Sequence, residues 1–503
     1  MEIFFAGVDL GTSGIKAGII DERGRIIAEV YRDTELVSEA PGRMKQDPDS
    51  FCSTALKTIR EVVEKSKIEP SRIIGLALDG QMGGIIGIDR NFDSVTGLDM
   101  GLDIRSEKYN ALMQREYGQK LAELTCGSPR NTPKMMMWAR EFPEIYGRVH
   151  KFVTLSGYVT GIITGISGDD ACIDYTLLSF FGNEDARNLS WSDELTRMAG
   201  LDAAKLPKVV EPWHVVGGLT SQAASESGLP AGLPVAAGAG DQPAGFLGAG
   251  FLKQGELLDV SGSTTLLCAA VDRFVPDTER ASVMFMPSVI AGKYTAFTYI
   301  NGGGISLKWF RDEFGGGLTW DELTAAAAGV PPGACGLQFL PYFGGRQCPY
   351  DSETRGAWIG LNWGHKKEHL FRAILEGLAF DHALGLEHIS RLFPHIRSEG
   401  IDGSGGGAQN PLWNRIKADI LNLPYRRLGE YQFALRGCAL IAGFSQGIFD
   451  NLEEAAVRMN AENESELIVP DSRNAEEYRK HLEIFKESLL SPLESTMGKL
   501  SSP

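Results

Sequence analysis

Short apolar runs punctuated by glycine open the chain. Residues 3–9, 15–21 and 25–31 predict three successive strands, joined by the Gly11–Gly14 turn and by Glu22-Arg23-Gly24, a hairpin signal. Asp47-Pro48 predicts a helix start, with an acid at the cap and proline at the first helical position, running to about Ser66. A strand at 73–79, the Gly80–Gly84 loop and a strand at 85–88 follow, and 106–146 reads as largely helical. The pattern then repeats. Residues 256–261, 264–271 and 293–300 predict strands, with helices near 304–314 and 319–328. In a long helix over 367–392, Leu370, Phe371, Ile374, Leu375, Leu378 and Ala379 form one broad apolar stripe. A strand–glycine loop–helix unit at 399–421 precedes helices at 434–445, 452–461 and 474–490, and the Lys499–Pro503 tail reads as frayed. Two strand–turn–strand–strand units, each followed by helices, predict a duplicated α/β architecture with a cleft between the halves.

Composition narrows the class. A chain of 503 residues is too long for one core and implies two domains of roughly 200–250 residues each. A net charge of −16 argues against a nucleic-acid partner, which needs a basic stripe. The apolar runs stop well short of a membrane helix, and Met1 leads into a strand-like segment with no signal-peptide pattern. Seven scattered cysteines without CxxC fit reduced thiols in a cytoplasmic protein. His365 and His369, four apart on the predicted helix, read as a solvated face rather than a metal site.

Several glycine-rich turns carry candidate chemistry. In Gly7-Val8-Asp9-Leu10-Gly11-Thr12-Ser13-Gly14-Ile15-Lys16 a carboxylate ends a strand and a turn of glycines and hydroxyls follows. Such a turn offers amide N–H groups, Thr12, Ser13 and Lys16 to a phosphate, while Asp9 can hold a metal ion; the plainer reading is a hairpin capped by its own hydroxyls. No Walker motif is present. A similar turn recurs at Val260–Thr265. Asp241, with Gln242 and Pro243 after it, reads as a helix N-cap whose dipole would lower its pKa and make it a weak base, tolerable in phosphoryl transfer. Gly403–Asn410 formally matches GxGxxA, but the residues before it make a poor strand, and a glycine platform under an adenine with Asn410 beside it fits better. Gln81, Met82, Asp103 and Arg105 lie near strand ends, where open α/β sheets bind ligands, and suit a polyhydroxylated molecule.

Taken in order, these stretches resemble the FGGY family of carbohydrate kinases from Gly7 to about Gly447. The family's C-terminal signature is present as Gly356-Ala-Trp358-Ile-Gly360-Leu361, seven residues, then His369-Leu370-Phe-Arg-Ala373-Ile374-Leu375-Glu376. The resemblance implies a two-domain actin-like (ribonuclease H-like) ATPase fold with an interdomain catalytic cleft. Residues 1–245 would form the sugar and phosphate side, 246–450 the nucleotide side, and 451–503 C-terminal helices and a tail. It further implies ATP and Mg²⁺, a sugar or polyol substrate, a cytoplasmic enzyme, and room for a homodimer. Carried over residue by residue, Asp241 would be the catalytic base and, with Asp9, a Mg²⁺ ligand. Gly11, Thr12, Ser13 and Lys16 would face the transferred phosphate. Gly262 and Ser263 would contact nucleotide phosphates, Gly304 and Lys308 would flank the nucleotide, and Gly407 and Asn410 would lie at adenine. Gln81, Met82, Asp103, Arg105 and Gln242 would line the sugar pocket. Within the family the look is to the xylulokinases, through Pro41-Gly42, Gln46-Asp47-Pro48, Asp79–Met82 and Leu340–Pro349. Gly83 stands where those enzymes carry a histidine, Gly101 where they carry a tryptophan, and the second turn reads Gly-Ser-Thr rather than Gly-Thr-Ser. The first two departures leave L-ribulose, gluconate, a tetritol or a signal-precursor polyol as alternative acceptors. An actin-like nucleotide switch and a sugar sensor are the rivals from other classes.

Overall fold

A computed structural model describes residues 2–490 apart from Pro41, Ser352, Glu430 and Tyr431. The expected Lys499–Pro503 tail and Pro41 lie outside the described residues. Two seven-stranded sheets form the scaffold. In the first, the strand Phe4–Leu10 pairs antiparallel with Gly14–Asp21 and parallel with Ile73–Gly80, and Gly14–Asp21 pairs in turn with Ile26–Asp33. In Phe4–Leu10 every residue except Asp9 is buried, which is why it reads as a continuous apolar run rather than an alternating one. One face is covered by the helix Pro48–Ser66, started by Asp47, whose carboxylate accepts from Ser50 N. The other face meets the helix Phe433–Ser445. That approach requires Gly7: a Cβ there would lie 2.9 Å from the Leu435 carbonyl oxygen and 3.0 Å from Cys438 Cβ.

The second sheet repeats the plan. Leu257–Ser261 pairs antiparallel with Thr265–Val271 and parallel with Ile401–Ser404, which continues parallel to Tyr425–Leu428. The helix Lys367–Leu392 packs across it, with Phe371, Ile374, Leu375, Leu378 and Ala379 buried. Each half therefore carries one hairpin-plus-parallel-strand unit, as the duplicated apolar pattern predicts. A third, five-stranded sheet pairs Val37–Ala40, Arg43–Gln46, Ser94–Met100, Gly84–Ile88 and Lys151–Val153, and brings Gln46 toward the first turn.

Some expectations are corrected. The region 106–146 is largely helical, as expected, but in three helices, Glu107–Leu124, Thr132–Glu141 and Pro143–Arg148, with Gly127-Ser128-Pro129 between the first two. The expected 474–490 helix starts at Ser472, capped by Asp471, and turns into a π-helix at Ile484–Leu490. His365 precedes the long helix, which begins at Lys367, and its Nδ1 accepts from Asn362 N.

Candidate active site

Three carboxylates converge at the ends of adjacent strands. Asp9 stands opposite Asp79 in the parallel register, and Gly80 stands opposite Gly240, immediately before Asp241. The cap at this helix is Gly240, with extended backbone, and Asp241 is the first helical residue. The cap therefore lies one residue earlier than the sequence suggests. Asp241 Oδ1 accepts from Gln242 N at 2.7 Å. Its pKa is also the reverse of the dipole argument: burial, and then the charge of Asp9, push it up to about 7. As a residue, Asp241 is only half-buried.

Asp9 is raised by burial and drawn back by Lys16, its cross-strand partner, and by a hydrogen bond with Asp79. Asp79, fully buried, is pushed well above the usual carboxylate range, first by burial and then by Asp9. Cys438 Sγ donates to Asp79 Oδ2 at 3.1 Å, and Asp79 Oδ1 is a buried oxygen without a hydrogen-bond partner. A bound cation would relieve this crowding of carboxylates. Among the described residues, no group of three or more His, Cys, Asp or Glu has metal-site geometry.

The Gly11–Gly14 turn is held from both sides. Thr12 Oγ1 donates to Gln81 Oε1 at 3.3 Å, Gln46 Nε2 donates to the Thr12 carbonyl at 2.9 Å, and Thr34 N donates to the Ser13 carbonyl at 3.1 Å. Lys16 Nζ reaches across to Gln432 Oε1 at 2.6 Å, so the lysine near Asp9 also ties the first sheet to the segment before the Phe433–Ser445 helix.

Beside Asp241, Gln81 and Met82 are buried, and a Cβ on Gly240 would press on the Met82 thioether. Asp103 is buried and receives Arg105 Nε on both oxygens, at 2.9 and 2.8 Å. Arg105 also donates to Asp99 Oδ1 at 2.6 Å, and Asp99 accepts the indole N–H of Trp138. The Asp-x-Arg pair is therefore a fixed, largely buried ion pair rather than a surface one. Lys134, buried nearby, is lowered to about 8 by burial, with Asp99 and Asp103 acting against the shift. Gly83 and Gly101 abut: a Cβ on Gly83 would lie 3.3 Å from Gly101 Cα. Gln242 follows Asp241 on the same helix turn. Sequence reasoning missed the support behind this loop. Gly240 N donates to Thr176 Oγ1 at 2.9 Å, and the Thr176 hydroxyl itself donates to the buried Asp174.

One cavity of 1350 Å³ lies in the second half. Gly262, Ser263, Gly304, Lys308, Gly407 and Asn410 all border it. Gly304 N donates to the Gly262 carbonyl at 2.9 Å, and a Cβ on Gly304 would sit 2.5 Å from that oxygen, so only glycine lets this helix start meet the turn. Ala325, Ala328, Val330, Pro331 and Leu412 supply an apolar wall that no motif announced. Lys308 pairs with Asp312 at 2.6 Å. Asn410 is partly committed: Oδ1 caps the helix Pro411–Leu421 through Trp413 N, and Nδ2 donates to Thr324 Oγ1, leaving one N–H and one lone pair for a base. The Gly403–Asn410 loop does follow a strand, Ile401–Ser404, and leads through a helix to the parallel strand Tyr425–Leu428; the strand begins just after the residues judged too poor to form it.

The structure thus brings Asp9, Thr12, Gln81, Met82 and Asp241 together at the strand ends of the first half, and Gly262, Ser263, Gly304, Lys308, Gly407 and Asn410 around one cavity in the second. The FGGY carbohydrate kinase N-terminal domain profile matches residues 4–248, and the C-terminal domain profile matches 261–445. Xylulose kinase of Bacillus subtilis (strain 168) is 28% identical over 491 residues, covering 96% of both chains. Gluconokinase of Bacillus licheniformis is 25% identical over 502 residues, covering 96% of this chain and 95% of its own. In fold, the crystal structure of gluconate kinase from Lactobacillus acidophilus matches with a TM-score of 0.91 at 22% identity, over 100% of each chain. With both domain profiles seated on the two sheets that carry these groups, the chain belongs to the FGGY family of carbohydrate kinases.

Proposed function

We propose that this sugar kinase transfers the terminal phosphoryl group of ATP to a hydroxyl of a ketopentose, with D-xylulose as the first acceptor to test. The observation that carries the reading is Asp241, a half-buried carboxyl at the strand ends, pushed up to about 7 beside Asp9. A base with that pKa is matched to neutral pH, where it holds the acceptor hydroxyl in line and takes its proton as the phosphoryl group arrives. Asp9 and Asp241 would hold Mg²⁺, which when bound neutralises charge on the phosphate oxygens. Gly11, Thr12, Ser13 and Lys16 cradle the transferred group. Gln81, Met82, Asp103, Arg105 and Gln242 line the acceptor pocket, with Arg105 and Asp103 pre-oriented by their ion pair. Gly262 and Ser263 take the nucleotide phosphates, Gly304 and Lys308 flank the nucleotide, and Gly407 and Asn410 lie at adenine.

In this reading residues 1–245 bind acceptor and phosphate, 246–450 bind nucleotide, and 451–503 are C-terminal helices and a tail. Closure of the two halves excludes water and limits wasteful ATP hydrolysis. A cytoplasmic setting fits the free cysteines and the absence, among the described residues, of any helix long and apolar enough to cross a membrane. The B. subtilis xylulose kinase favours the ketopentose. A second acceptor class, an aldonate such as gluconate, is favoured by the gluconokinase likeness. A coupled ADP-release assay across ketopentoses, aldonates and tetritols separates them. Strongest turnover on D-xylulose supports the reading, and turnover confined to an aldonate or tetritol overturns the ketopentose assignment.

A further inference from the structure

Beneath the nucleotide-side turn lies a buried charge cluster that none of the assigned roles uses. Asp259, in the strand Leu257–Ser261, is wholly buried and accepts from four side chains: Lys417 Nζ, Tyr425 OH at 2.7 Å, His382 Nε2 at 3.2 Å and Ser261 Oγ at 2.8 Å. Lys417 Nζ, equally buried, also donates to Ser261 Oγ at 2.6 Å. Ser261 is therefore gripped by both members of an ion pair, through one hydroxyl that donates to the carboxylate and accepts from the ammonium.

Ser261 immediately precedes Gly262-Ser263, and its backbone leaves no slack toward the opposite loop. A Cβ on Gly405 would lie 2.6 Å from the Ser261 carbonyl oxygen, and one on Gly407 would lie 2.7 Å from Ser261 Cβ. The same ammonium sits 3.7 Å from the centroid of the Trp413 ring, and Trp413 N is the amide that Asn410 caps. Lys417 thus touches both walls of the 1350 Å³ cavity from behind: the phosphate-side turn through Ser261 and the base-side loop through Trp413.

We infer that Asp259 and Lys417 are positioning residues that fix the spacing between the Gly262-Ser263 turn and the Gly407–Asn410 loop, and so set nucleotide affinity from behind the site. The inference rests on the reading of this cavity as the nucleotide site. A packing role alone predicts something different, because a buried ion pair can often be replaced by neutral groups of similar volume with little loss of stability, whereas removing one partner strands a charge. The neutral pair Asp259→Asn with Lys417→Met keeps the volume and the acceptor for Tyr425, and removes the two-sided grip on Ser261. Ser261→Ala removes the hub and leaves the ion pair in place.

The test is isothermal titration of the full-length wild type and both variants with Mg²⁺ and the non-hydrolysable analogue AMP-PNP, alongside thermal melts. Both variants are expected to bind the analogue about tenfold more weakly while melting close to wild type, since each loses charge-assisted hydrogen bonds that orient the turn rather than the fold. Analogue affinity within about twofold of wild type in both variants overturns the inference, whatever their melting points. A wild type that does not bind the analogue at all fails the nucleotide-site reading instead, which keeps the two failures apart.

Discussion

Replacing Asp241 with asparagine removes the charge at the cleft floor while keeping the side chain's size and the acceptor for Gln242 N. Loss of a positioned general base costs roughly 10²–10⁴-fold in turnover, with nucleotide binding nearly unchanged. The raised pKa adds a second signature. An unfolded aspartate gives up its proton near 3.8, whereas Asp241 in the folded protein holds it to about 7. Between those values the folded state binds more protons, so the contribution of this group to stability is fully present below about pH 4 and is lost as pH rises to about 7. At about 1.4 kcal/mol per pH unit the ceiling is roughly 4 kcal/mol, and the partial exposure of the residue reduces it to about 1–2 kcal/mol. The Asp241→Asn variant avoids this penalty. Measured without Mg²⁺, its apparent Tm should match wild type near pH 4, exceed it increasingly up to pH 7, and stay higher above that. Wild-type turnover in the Asp241→Asn enzyme refutes the assigned base. A Tm difference that does not change with pH refutes the burial argument.

Three further changes separate the parts of the site. Thr176→Val leaves Gly240 N–H without its acceptor, which costs about 1–3 kcal/mol of local order; kcat should fall several-fold with KM for ATP unchanged, and a rise in that KM alone would contradict the anchoring role. Gly304→Ala puts a methyl 2.5 Å from the Gly262 carbonyl oxygen, so titration with AMP-PNP should show affinity weaker by about tenfold or more. Gly83→His places a side chain against Gly101; KM for the true acceptor should rise about tenfold while KM for ATP holds, and an unchanged acceptor KM would show that this glycine pair does not shape the pocket.

The turns proposed to hold the phosphates are legible in the sequence because their chemistry is local. Gly11–Gly14 and Gly262–Thr264 are tight turns between apolar strands, and a glycine-rich turn leaves its signature in a few adjacent residues. The 367–392 helix is equally legible, since its apolar stripe is a face long enough to fix its period. Asp241 is visible too, but its ionisation is not, for a reason of magnitude. A helix end contributes about 0.3–1 kcal/mol, less than one pH unit, and burial beside Asp9 outweighs it. Asp79 ends its strand just as Asp9 does, so the same signal could have marked it as part of the floor.

What sequence could not supply are the partners brought together only by folding. Gly240 meets Thr176 across 64 residues, and Lys417 meets Asp259 across 158. The proposed acceptor pocket suffers most from this. Gly83 and Gly101 read along the chain as two independent departures from the xylulokinase pattern. In the structure they are one feature, two backbones in contact at the ends of paired strands, so a side chain at either position must displace the other. Two losses that share one contact count as a single change of pocket shape. They weaken the xylulose assignment less than two separate changes would, yet they put that change beside Met82 and Asp103, where an acceptor of different bulk would be distinguished.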